Sequence, residues 1–164
     1  MGPGSPGPVV LRRVALADLG GLPAAPWRNG AGLTRELAAD PDGAWRVSVA
    51  AIAGPAPWSA FPGVDRVSCV VAGEGLVLTV DGAEQSVRRG EVLAYRGESV
   101  VLGRPLGGPV QNLNLVLARG RAVGGLRVVE LAGFEPGADD VLLWALDGSG
   151  GGGGRAVVVS AAVR

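Results

Sequence analysis

Two runs of the chain place polar side chains where alternate residues of a strand would line them up. In QNLNLVL, residues 111–117, Asn112 and Asn114 share a face opposite Leu113, Leu115 and Leu117. In WRVSVAA, residues 45–51, Arg46 and Ser48 share a face opposite Trp45, Val47 and Val49. A third run, LTREL, sets Thr34 and Glu36 against Leu33, Arg35 and Leu37. A guanidinium pairs with a carboxylate through two parallel N–H donors. Side-chain amides and hydroxyls supply the remaining donors and acceptors for a small polar ligand. A polar face on one strand is ordinarily the wet outside of a sheet. The concurrence of Asn112 and Asn114 with Arg46 and Ser48 points instead to a barrel wide enough to take such a ligand inside.

Other chemistries are excluded or unsupported by the residue inventory. The chain has no histidine. It therefore has no imidazole base, no Ser/His/Asp set and no imidazole metal ligand. No glycine loop with lysine is present to cradle phosphate. Glu36 and Asp65 are available as a carboxylate pair, but their spacing does not favour that role. The one cysteine, Cys69, sits in an apolar run and reads as a small buried hydrophobe; a single cysteine forms no intrachain disulfide. Lys+Arg and Asp+Glu balance at 15 each, which leaves no basic stripe for nucleic acid or an anionic membrane surface. The opening MGPGSPGP lacks the basic and apolar regions of a signal peptide, and no window is long and apolar enough to span a bilayer. A cytoplasmic location is the expectation that follows.

The elements that would position these side chains are strands. Hydrophobic residues make up 48% of 164, ample for a core. The 29 glycines and 12 prolines punctuate short β-branched runs. The runs predicted as strands are Val9–Ala15, Thr34–Ala38, Trp45–Ile52, Arg66–Val71, Leu76–Val80, Ala83–Val87, Glu91–Tyr95, Ser99–Leu102, Val110–Leu117, Arg127–Glu130, Val141–Leu146 and Ala156–Ala161. Their spacing is that of a sandwich or barrel rather than βαβ units. Asp81-Gly82 reads as a hairpin tip. One helical turn is predicted at Leu16–Leu19 and another within residues 55–60. Residues 1–8 read as a disordered tail, and Gly148–Gly154 as a mobile loop.

From Phe61 to Leu102 the chain resembles a cupin core: a turn at Gly73-Glu74-Gly75, a hairpin at Asp81-Gly82, and Gly90-Glu91 opening a strand. The resemblance puts the usual metal-ligand histidines near Trp58–Ala60 and near Val100, with the carboxylate ligand at Asp65 or Arg66. Those positions hold no imidazole, so it implies a cupin without metal or other cofactor. Three further stretches, PWRNGAGLTRELA (26–38), WRVSVAAIAGPAPWSAFPGVDR (45–66) and GPVQNLNLVLARG (108–120), resemble the HutD/Ves family. That family's first motif reads Pro-Trp-(Lys/Arg)-Asn-Gly-Gly-Gly, and Ala31 here replaces the middle glycine.

The resemblance implies an all-β, cupin-type double-stranded β-helix barrel, bicupin-like. Residues 9–120 would form the barrel that carries the motifs, and 121–164 an abbreviated second half packed on it. It also implies a small carboxylate ligand of the formate or N-formylglutamate class, and a role in histidine utilisation or a stress response. The binding residues expected on these grounds are Trp27, Asn29, Thr34, Arg35, Arg46, Ser48, Phe61, Asp65, Arg66, Asn112 and Asn114, with no catalytic or metal-binding set. Phe61 and Trp58 would form an apolar lid. For Arg66 an exposed structural pair with the adjacent Asp65 is the competing assignment. A metal-independent isomerase, lyase or hydrolase and a dry structural module are the alternatives. A homodimer through a sheet edge is open by analogy with cupins.

Overall fold

The computed structural model describes residues 11–147 and 153–164. The predicted tail and most of the Gly148–Gly154 loop therefore lie outside the described residues. Fourteen strands follow one another: β1 (Arg12–Val14), β2 (Ala25–Pro26), β3 (Gly32–Ala39), β4 (Trp45–Ile52), β5 (Ala56–Trp58), β6 (Val64–Ala72), β7 (Gly75–Val80), β8 (Ala83–Arg88), β9 (Val92–Arg96), β10 (Val101–Leu106), β11 (Val110–Ala118), β12 (Ala122–Glu130), β13 (Asp140–Ala145) and β14 (Arg155–Val163). A 3-10 turn at Leu16–Gly21 is the one helical element among the described residues. The chain is nearly all-β, with 60% strand.

The strands form three sheets, ordered β1-β13-β14-β12, β2-β3-β4-β11-β6-β9 and β5-β10-β7-β8. The six-stranded sheet is the middle layer. One of its faces packs Val47, Val49, Cys69, Leu113 and Leu115 against Leu142, Trp144, Val157 and Val159 of the first sheet. Its other face packs Ala50, Ile52, Val70 and Val110 against Leu76, Leu78, Val87 and Val101 of the third. Burial on both faces explains why β6 and β11 are apolar over long runs, whereas β8, at the edge of the third sheet, reads AEQSVR. The cupin expectation is met in strand content and spacing but not in closure. The sheets do not close into one barrel; they stack.

Residues 55–60 depart from the reading as a helical turn. Pro55 and Pro57 leave Ala56 and Trp58 extended, and β5 pairs antiparallel with β10, Trp58 opposite Val101. The Asp81-Gly82 tip is as read: both residues have positive φ, 49° and 84°, as a two-residue hairpin of matching twist requires.

Candidate functional site

The face of the middle sheet that meets the third sheet is apolar toward one end and polar toward the other. Strand registry sets the polar groups in rows. Arg46, Val116 and Arg66 are cross-strand neighbours, and Tyr95 is the next residue along from Arg66. One step away lie Glu36, which is exposed and outside the cavity lining, Ser48, Asn114 and Ser68; beyond them lie Thr34, Ala50, Asn112 and Val70. Arg46 and Arg66 thus stand two strands apart, about 10 Å at the backbone. Over these rows is a cavity of about 540 Å³. Among the described residues three arginines, Arg28, Arg46 and Arg66, line it, and no carboxylate does.

Arg66 is held most tightly. It is buried, and its guanidinium lies 5.1 Å from the Phe61 ring centroid and 5.3 Å from that of Tyr95. Its Nη1 donates to Ser59 O at 3.0 Å. Burial lowers the Arg66 pKa; Tyr95 opposes that shift, and Arg46 adds to it. The Nε of Arg66 is buried with no partner among the described residues, as is the indole Nε1 of Trp58, also a wall residue. Unpaired buried donors of this kind cost about 1–3 kcal/mol each.

The floor is an amide network. Ser68 Oγ donates to Asn114 Oδ1 at 2.9 Å, Asn112 Nδ2 donates to the same oxygen at 3.0 Å, and Asn114 Nδ2 donates to Asn112 O at 3.1 Å. Aromatic walls stand on glycines. Trp27 covers Gly32 and donates Nε1 to Thr34 Oγ1 at 2.8 Å; Trp58 covers Gly103. The turn between β2 and β3 is closed by Asn29, whose Oδ1 accepts from Ala31 N, with Gly30 at φ 74°.

The cavity gathers Trp27, Asn29, Thr34, Arg46, Ser48, Phe61, Arg66, Asn112 and Asn114 from the sequence-derived set. It does not gather Arg35 or Asp65. Arg35 pairs in register with Val49, whose side chain belongs to the opposite face of the sheet. Asp65 is exposed and accepts from Arg119 at 3.0 Å, alongside Glu98 at 2.9 Å. The exposed Arg66–Asp65 pair is likewise not formed: strand alternation sends Arg66 inward and Asp65 outward. Arg28, Trp58, Ser59 and Ser68 complete the site or its floor. Alternation within RVSCVV would have placed Ser68 beside Arg66. Nothing local in the sequence announces Tyr95, which reaches Arg66 only through the pairing of β6 with β9.

The HutD family model matches residues 21–151. The chain is similar to Protein Ves of Citrobacter koseri, 35% identical over 119 residues that cover 69% of this chain and 62% of that protein. It is also similar to an uncharacterised 21.2 kDa protein in the hutC 3′ region of Pseudomonas putida, 37% identical over 102 residues, 58% of this chain and 54% of that protein. The chain thus spans little more than half the length of these curated relatives. Among solved structures it resembles the conserved protein of unknown function PA5104 from Pseudomonas aeruginosa PAO1, with a TM-score of 0.77 and 27% identity over 94% of this chain and 97% of that one. It also resembles HutD from Pseudomonas fluorescens SBW25 (formate condition), with a TM-score of 0.70 and 28% identity over 87% and 95%.

Proposed function

The chain belongs to the HutD family, and from that premise we propose that it is a binding protein that captures a small carboxylate, of the formate or N-formyl amino acid class, by hydrogen bonding and charge without a metal. One observation carries the reading. Arg46 and Arg66 flank Val116 on the floor of a cavity that is lined, among the described residues, by three arginines and no carboxylate. Such a wall favours an anion, and a low-dielectric setting strengthens each contact.

The remaining lining suits the class. Arg46 and Arg66 would meet the carboxylate, Asn112 and Asn114 a formamide or second polar group, and Ile52, Trp27 and Trp58, which also line the cavity, would cover the apolar part of the ligand. The formate condition of the Pseudomonas fluorescens HutD structure is in keeping with this. Through such capture the protein would modulate histidine utilisation or a stress response, the roles that the family resemblance implies.

Calorimetric titration of chelator-treated protein with formate, N-formylglutamate and urocanate tests the proposal. Binding without turnover is expected, together with a melting temperature that EDTA does not shift. A drop of several degrees with EDTA, or heat from none of the acids, would overturn it.

A further inference from the structure

We infer that Tyr95, which stands outside the cavity wall, is the positioning residue that aligns the cavity's cationic group and its amide floor together. The inference rests on the anion-binding reading above. Tyr95 is the chain's one tyrosine and the cross-strand neighbour of Arg66. Its ring centroid lies 5.3 Å from the central carbon of the Arg66 guanidinium, and that of Phe61 lies 5.1 Å from the same carbon. A guanidinium held against two aromatic rings loses rotational freedom, so the directions open to its N–H groups are restricted.

The hydroxyl of the same residue begins the amide network. It lies 3.3 Å from Ser68 Oγ. Ser68 has one proton and commits it to Asn114 Oδ1, so the phenol is the donor in that contact. The network's donors then converge on Asn114 Oδ1, which leaves Asn112 Oδ1 as an acceptor with no donor among the described residues. A cavity arranged this way takes an acid that also carries a hydrogen-bond donor in preference to a bare acid. Tyr95 sets that preference without touching the ligand.

Glycolate and acetate, which differ by one hydroxyl, are the probes, and the Arg66 Nε–H resonance, assigned through Arg66→Lys, is the ligand-free readout. In the unmodified chain glycolate is expected to bind about fivefold tighter than acetate. Tyr95→Leu removes ring and hydroxyl; it should weaken acetate by about tenfold and broaden or lose the Nε–H signal. Tyr95→Phe retains the ring; it should retain that signal, lose glycolate's advantage and weaken acetate less than Tyr95→Leu does. A Tyr95→Leu variant that keeps both the resonance and the affinity would overturn the inference. Should that variant not fold, an unaltered glycolate-to-acetate ratio in Tyr95→Phe would overturn it equally. If the unmodified chain takes neither acid while Tyr95→Leu still loses the resonance, the anion-binding reading falls and the hold of Tyr95 on Arg66 stands.

Discussion

The indole of Trp27 lies so close over Gly32 that a Cβ on that glycine would sit 2.9 Å from two of its ring carbons and 2.8 Å from Ala51 O. Gly32 is buried and leads into β3, two residues before the Thr34 hydroxyl that accepts from the Trp27 indole. The small residue and the hydroxyl together fix one wall of the cavity. Gly32→Ala forces either the ring or the strand to move. We expect a loss of about 1–3 kcal/mol in urea unfolding. Affinity for acids should fall as well, because the displaced ring opens the wall. Full stability with full affinity in that variant would show that Trp27 has room to spare.

A second expectation concerns pH. Asp140 is buried and accepts from Arg127 Nη1 and Nη2, both at 2.7 Å, and from Gly137 N at 2.7 Å. The Arg127 donors hold its carboxyl below the usual carboxylate range; burial opposes the shift and the Gly137 N–H adds to it. A carboxyl whose pKa is depressed on folding adds stability above its unfolded pKa, near 3.8, and that contribution disappears as pH falls through the lower folded value. Asp140→Asn should therefore cost about 1–3 kcal/mol at neutral pH, toward the lower end because Arg127 is half exposed. The gap between variant and unmodified chain should close below pH 3.8. A gap that stays constant from pH 7 to pH 3 would contradict the assignment.

Cys69 gives a third. It is buried between the first and middle sheets, and desolvation raises its thiol pKa to about 11. Thiolate is the reactive form, so the folded protein should give no colour with a thiol-exchange reagent at pH 8. Denaturant should release one thiol per chain. Rapid reaction in the folded state would mean that the interface between those two sheets opens readily.

Much of the polar row was legible because it rests on strand alternation, which is local. Asn112 with Asn114, and Arg46 with Ser48, follow from two-residue periodicity alone. Arg35 illustrates the limit: its type suits an acid, but the same periodicity that puts Thr34 in the cavity turns Arg35 away. Asp65 and Arg66 are adjacent, and adjacency in a strand means opposite faces, so their pairing was the wrong expectation on the same physical ground. Contacts made across sheets or through an edge strand had no local signature. Tyr95 beneath Arg66, Trp58 over Gly103 and Arg119 on Asp65 depend on which strands pair, and the sequence alone left that order open. The stacking of sheets in place of a closed barrel was hidden for the same reason.

The central claim is that arginine, not metal, captures a carboxylate here, and calorimetry of N-formylglutamate against Arg46→Ala tests it most directly. Arg46 is exposed at the cavity and belongs to neither apolar core, so the variant should fold with an unchanged melting temperature. The account expects one ligand per unmodified chain and no measurable heat from the variant. A variant titration curve that overlays that of the unmodified chain would contradict it.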